Sequence, residues 1–442
     1  MRRGWCRGKS GHIGAVMAVG IVLASCADGG GGGSNGQPTS GAFLYVTNGS
    51  SADISAFSVN EGSGQLVSVP GAPFPTSGTQ PQRLVVDPSG NFAYVTNTGS
   101  DTIAAYSINL TTGTLTLIDG VVIPAGGTQS QEIAVAASKS VVPTQEFAFV
   151  SHAGSNDLSV FGIDPTSGRL TLIVTQLTDG LAPGPATVHP TGKFVYVSNA
   201  GSANISGFVN NLPTGGAFTS MGTPFIADSQ PQRLTIDPSG QFAYVANAGS
   251  ATVSAYSIDQ VTGVLTPIMN PHTGLPTFPT GTMPQPVTVD PMGRFAYVTN
   301  LGDGTVSGYM ITPASGVLTP MTGSPFSVGT NPEAITLVTS NEFSTGEFAY
   351  VDNAGSGNVS AFAADPVTGG LTAISGSPVA AGDAPQAIVV EPTGHFAFVP
   401  ALGSDNVSVY RIDQMTGALT PVTGSPFPTG GAPQSATTAG VF

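Results

Sequence analysis

Few residues in this chain can carry acid–base, nucleophilic or anion-binding chemistry. Of 442 residues, 11 are Lys or Arg, 25 are Asp or Glu, five are His and two are Cys. Scarcity makes position informative. Arg83 and Arg233 each follow a Pro-Gln pair, and Glu132 occupies the same place in Ser130-Gln-Glu. A guanidinium presents several charged N–H donors and can bind a carboxylate or polarise a carbonyl. The plainer role for these residues is an ion pair between Arg83 and Glu132. Glu333, His152 and Asp352 are the other polar residues that depart from a recurring pattern. His152 stands where related segments carry Asn48, Asn97 or Asn199, so it is either a general base or a turn residue. Gln82, Gln131, Gln232, Gln285, Gln386 and Gln434 recur at one register, with Gly184 and Glu333 at the two remaining places. A belt of amides suits a hydroxyl-rich ligand such as a sugar, or closes a repeated loop. No His-x-His, Cys pair, Asp-x-Asp-x-Asp loop, Gly-rich phosphate loop or nucleophile elbow is present in the sequence, so no metal or cofactor is expected.

The elements that must hold these residues repeat eight times. Phe43-Leu-Tyr-Val-Thr-Asn48 and Phe92-Ala-Tyr-Val-Thr-Asn97 are followed by copies starting at Phe147, Phe194, Phe242, Phe295, Phe348 and Phe396. Spacings run from 47 to 55 residues. Before each copy comes a short apolar run and a tight turn, as in Leu84-Val-Val-Asp-Pro-Ser-Gly90, where Pro presets φ and Gly takes positive φ. After it come an Asn-x-Gly-Ser turn, a run with small and aromatic residues, and a Thr-Gly-x-Leu-Thr hairpin. The motif strand is apolar on both faces and must be buried on both. Four short strands per repeat of this length match a β-propeller blade.

Composition agrees. The chain has 60 Gly and 36 Pro, yet charged residues are only 8% and mean hydropathy is +0.20. That excludes a disordered chain, which needs low hydrophobicity and high charge, and the shortage of helix formers excludes a helical bundle. The expected fold is all-β, a single propeller of eight four-stranded blades, with seven as the alternative. The first motif copy lacks a preceding inner strand, and Ala432–Phe442 reads as an inner strand with nothing after it. Pairing the two closes the ring and removes two exposed edges. The inner-strand starts and the Asn-x-Gly-Ser turns then share one face, the channel mouth. That mouth carries the Gln column, Arg83, Arg233, Glu132, Glu333, His152 and Asp352. Two inserts, 137–146 and 339–347, lengthen loops on the other face and read as a duplication mark or a pair of contact loops.

The repeated Tyr-Val-Thr-Asn motif resembles that of the YVTN-type β-propellers and the wider lactonase-like family, which includes 6-phosphogluconolactonases. Leu402-Gly-Ser-Asp405 is similar to a segment common in that family. The resemblance covers residues 41–442. It implies a propeller, by family default of seven blades, and a hydrolase whose site at the mouth uses Arg83, Arg233, Glu132 and His152.

The N-terminus reads as an address. Arg2, Arg3, Arg7 and Lys9 precede an apolar run, Gly14 to Leu23, too short to span a bilayer. It ends in Leu23-Ala-Ser-Cys26, which resembles a lipobox with Cys26 as the lipidation site. Residues 1–25 are expected to be a lipoprotein signal peptide, 26–40 a lipidated Cys with a Gly/Ser-rich tether, and 41–442 the propeller. Removal of the first 25 residues takes away four basic residues and no acidic one, leaving a net charge of −18. Such charge argues against nucleic acid and anionic membrane surfaces as partners. The first expectation is an envelope-anchored, monomeric module that binds a small hydroxylated ligand or an envelope protein and touches membrane only through the lipid. The alternative is a lactonase acting on unphosphorylated sugar lactones.

Overall fold

The computed structural model describes residues 41–137, 145–339 and 347–440. Eight antiparallel sheets follow one another, each with four strand positions, A innermost to D outermost. Blade two shows the pattern: A is Pro81–Val86, B Phe92–Asn97, C Thr102–Ile108, and D is split into Leu115–Leu117 and Ile123–Pro124. Blade one takes its A strand, Pro433–Gly440, from the far end of the chain. This strand pairs with Ala42–Asn48 from Ala42↔Gly440 to Asn48↔Pro433. The count is eight, not seven, and the closure is the one the sequence implies. The lipobox at Cys26, the tether and most of both inserts lie outside the described residues.

Local chemistry explains the strands and turns. All six residues of Phe92–Asn97 are buried, as the two-sided apolar pattern requires. The turn before them is held by Asp87, whose Oδ1 accepts from Phe92 N at 2.8 Å and Oδ2 from Ser89 N at 3.1 Å. The motif Asn closes the next turn: Asn48 Nδ2 donates to Asp53 Oδ1 at 2.6 Å and Ser55 Oγ at 2.9 Å. These bonds satisfy the buried Asn48 NH2 group, which would otherwise cost about 1–3 kcal/mol.

Blades are joined by a clasp. Tyr45 OH donates to Gly113 O of the next blade at 2.8 Å, and Tyr94, Tyr196, Tyr244, Tyr297 and Tyr350 repeat the bond. The glycine is obligatory: Gly113 has φ +75°, and a Cβ there would stand 2.4 Å from Phe43 Cδ1. Eight apolar clusters form the core, one between each pair of adjacent blades, such as Phe43, Tyr45 and Ile54 against Leu84, Val95 and Tyr106. The core is therefore a ring of interfaces, including the one between blade eight and blade one.

Candidate functional site at the channel mouth

Each longer A strand begins with an irregularity that aims side chains into the mouth. Pairing with strand B slips between Pro81 and Leu84, Ser130 and Ile133, Pro231 and Leu234, and Pro332 and Ile335. The residues inside these bulges are Gln82-Arg83, Gln131-Glu132, Gln232-Arg233 and Glu333-Ala334. A bulge places two consecutive side chains where a regular strand would alternate them, and so re-aims them.

Three of the predicted residues meet. Arg83 Nη1 lies 2.9 Å from Glu132 Oε2, and Arg233 Nη1 lies 3.0 Å from the same oxygen. The first contact joins adjacent blades two and three. The second spans from blade five, past blade four, whose A-strand start carries Pro185 and no charge. All three side chains are about one-quarter exposed, at 26%, 28% and 24% for Arg83, Glu132 and Arg233. Burial alone would raise the Glu132 carboxyl, but Arg83 and Arg233 outweigh it and hold the group at about 2. It is a carboxylate at any physiological pH. Two guanidiniums against one carboxylate leave one net positive charge on a ring that is otherwise strongly acidic.

A cavity of about 340 Å³ adjoins this cluster, lined by Gln80, Gln82 and Thr98 of blade two, Gln129 to Glu132 of blade three, and Pro185. Ser130 stands on its wall, outside every motif in the sequence. In the other seven blades the same register holds Pro81, Pro183, Pro231, Pro284, Pro332, Pro385 or Pro433, so its departure from proline was the available signal. Ser130 Oγ lies 3.1 Å from His152 Nδ1 and 3.1 Å from Asp101 Oδ1.

His152 itself is fully buried. Its Nε2 is 3.0 Å from Ser159 Oγ and 3.9 Å from Asp157 Oδ1, the contacts that motif asparagines make elsewhere. A Cβ on Gly127 would stand 2.4 Å from its ring, just as one on Gly78 would from Asn97. Burial lowers its pKa against the opposing pull of Asp157 and Asp101, so it is neutral at pH 7. It occupies the turn position, and its link to the cavity wall is Ser130.

The Gln belt is tied to its own corners. Gln131, Gln232, Gln285 and Gln386 each donate from Nε2 to the carbonyl two residues earlier, at 3.2, 3.4, 3.5 and 3.3 Å. Those corner residues, Gln129, Gln230, Met283 and Ala384, have positive φ. The amide therefore braces a strained D–A corner, which explains its recurrence. Gln82 and Gln434 share the register, and Gln82 lines the cavity.

Glu333 and Asp352 sit in blade seven, across the ring from Glu132. Asp352 is fully buried and replaces a hydroxyl residue. At this position Thr47, Ser151 and Thr299 donate to the next blade's Gln82 O, Gly184 O and Glu333 O, at 2.6, 2.6 and 3.1 Å. Asp352 Oδ1 accepts from Ala334 N at 3.2 Å, and Oδ2 has no hydrogen-bond partner. Burial, with repulsion from Glu333 as a lesser cause, pushes its pKa up to about 8, and burial raises Glu333 as well. Among the described residues no group of three or more His, Cys, Asp or Glu could hold a metal ion.

The sequence profile of the family described as "Lactonase, 7-bladed beta-propeller" matches residues 37–129, 121–217, 184–280 and 381–435. The matched stretches cover more than half of the chain. The chain belongs to the lactonase β-propeller family. It does so with eight blades where the family's description gives seven. A 6-phosphogluconolactonase candidate from Bacteroides fragilis is similar in fold, with a TM-score of 0.59 and 18% identity over 92% of this chain and 100% of its own. The periplasmic gluconolactonase of Pseudomonas aeruginosa gives 0.57 and 18% over 90% of this chain and 99% of its own. AztD from Citrobacter koseri gives 0.58 and 12% over 90% and 98%. At these identities the likeness is one of fold. No curated protein matches the chain.

Proposed function

We propose that this lactonase-family ring hydrolyses an unphosphorylated lactone at the channel mouth, held outside the cytoplasm by a lipid on Cys26. The observation that carries the reading is the convergence of Arg83 and Arg233 on one oxygen of Glu132 beside a polar cavity. Membership of the family supports it over the binding module expected first from the residues alone. Four of the six belt amides spend a donor on the D–A corners, which gives the belt a structural role of its own.

The chemistry asks for a charge that appears late. Water adds to the lactone carbonyl carbon, and the carbonyl oxygen becomes an oxyanion. The ring C–O bond then breaks; of the two protons the water brought, one ends on the ring oxygen and the other is released to solvent, and the hydroxy acid leaves as its carboxylate. Substrate is neutral, while transition state and product are monoanionic. A site with one net positive charge is matched to that change. A phosphate dianion would need more cations than Arg83 and Arg233 supply once Glu132 has taken its share. Glu132, held near pKa 2, is too weak a base to activate water and acts as a positioning residue that keeps both guanidiniums aimed.

The test is hydrolysis of a panel of aldonolactones and acyl-homoserine lactones by purified protein, beside the Arg83→Ala and Arg233→Ala variants. Each variant is expected to lose about 10²–10³ in kcat. Absence of turnover in protein shown to be folded would return the reading to a binding module.

A further inference from the structure

The outer rim is built to refuse partners at seven blades and not at the eighth. In seven blades strand D is broken into two short pieces. The breaks carry glycines at positive φ: Gly71, Gly120, Gly222, Gly274, Gly323, Gly376 and Gly424. Six of the breaks also contain proline. Short, proline-interrupted edges are how β proteins keep unpaired N–H and C=O groups from recruiting another chain. Blade three lacks this protection. Its D strand runs unbroken from Leu170 to Leu177 and pairs along its whole length with Asp157–Ile163, from Ile163↔Leu170 to Asp157↔Leu177. Its one irregularity is the extra residue Ile173, where the register slips.

The exposed side chains of this strand are uncharged, with Thr171 and Thr175 beside three large apolar residues. Leu172, Ile173 and Leu177 are 48%, 45% and 61% exposed, and Leu170–Leu177 contains no ionisable residue. In a chain of net charge −14, an uncharged edge is where two copies repel each other least. Exposed Arg169 precedes the strand and exposed Asp179 follows it. Arg169 grips Asp119 of blade two through Nε and Nη2, at 2.7 and 2.6 Å, and an antiparallel partner centred on Val174 would bring Asp179 of the second copy opposite the same guanidinium, twice over. Such self-complementarity is what an isologous two-fold contact requires.

We propose that Leu170–Leu177 is a dimerisation edge, along which two copies of this chain pair antiparallel and join their third blades into one continuous sheet. This departs from the monomer expected from the sequence, and it stands whether or not the mouth hydrolyses lactones. The test is sedimentation equilibrium of the purified full chain up to roughly 100 μM, with hydrogen exchange of the Leu170–Leu177 amides. The expected result is a species of twice the mass of the single purified chain, with slowed exchange along this strand. The L172K/L177K variant should weaken association by at least about tenfold while keeping the melting temperature of the parent. D179R, which sets like charges against each other across the two-fold axis, should also weaken it. D179R keeps the test decisive should the lysine variant misfold. A monomer at every concentration would overturn the proposal, as would a dimer indifferent to both L172K/L177K and D179R.

Discussion

At the scale of single residues, the mouth is governed by a shared oxygen. Because Arg83 and Arg233 both lean on Glu132 Oε2, neither is independent of the other. Glu132→Gln is therefore expected to cut turnover by about tenfold or more without abolishing it, by loosening both guanidiniums, and steady-state kinetics would show this in kcat rather than KM. The paired Arg83→Ala and Arg233→Ala losses should fall short of additive in the double variant. Asp352 makes a second, thermodynamic prediction. Its folded pKa of about 8 lies above the ordinary 3.8, so the folded ring holds a proton that the unfolded chain releases. Its stabilising contribution is complete below about pH 4 and is lost as pH rises through 8. Asp352→Thr, which restores the hydroxyl of Thr47 and Thr299, should flatten thermal stability between pH 5 and 8.5. It should add roughly 1–3 kcal/mol at pH 8, read by melting at a series of pH values. The sequence named Arg83, Glu132 and Asp352 because each breaks an eightfold pattern. It could not show that Arg233 reaches past a neighbouring blade, because that depends on how far apart two strand starts lie across the channel.

At the scale of elements, the clasp between blades sets what each repeat may vary. Six tyrosines donate to a glycine carbonyl in the next blade, while Phe149 and Phe398 hold the same register without the hydroxyl. Losing one such hydroxyl should then be mild, and Tyr94→Phe is expected to cost about 1 kcal/mol in denaturant unfolding. The glycine is less forgiving. Gly113→Ala forces a Cβ to within 2.4 Å of Phe43 and strains a positive φ, and should cost more than about 2 kcal/mol by the same measurement. The turns were readable from the sequence because Asp-Pro-Ser-Gly and Thr-Gly constrain φ locally. That the recurring Gln closes a repeated loop was one of the two readings the sequence offered, but the positive φ two residues earlier, which the amide answers, is revealed only by the folded backbone.

At the scale of the molecule, stability is circular. Each apolar cluster belongs to two blades, so a blade has no core of its own, and the last interface exists only because Pro433–Gly440 returns to blade one. Its Thr437 Oγ1 also donates to Leu84 O of blade two at 2.7 Å, tying the final strand into two neighbours. A chain ending at Ala432 should lose the single cooperative melting transition and become open to proteolysis from blade one, which calorimetry and limited digestion would reveal. An intact ring should melt as one unit despite its length.

By itself the sequence determined the class of fold, the number of blades and the strand that closes the ring. All three follow from repetition, in which every copy reports the same local physics. Beyond the Arg83–Glu132 pair and the turn role that the sequence offered for His152, tertiary structure decided which departures from repetition meet. It added Arg233 to the same Glu132 oxygen, set Ser130 beside His152, and left one outer strand of eight unbroken. Those outcomes rest on distances between blades and on which edges remain unpaired, and no local pattern encodes either.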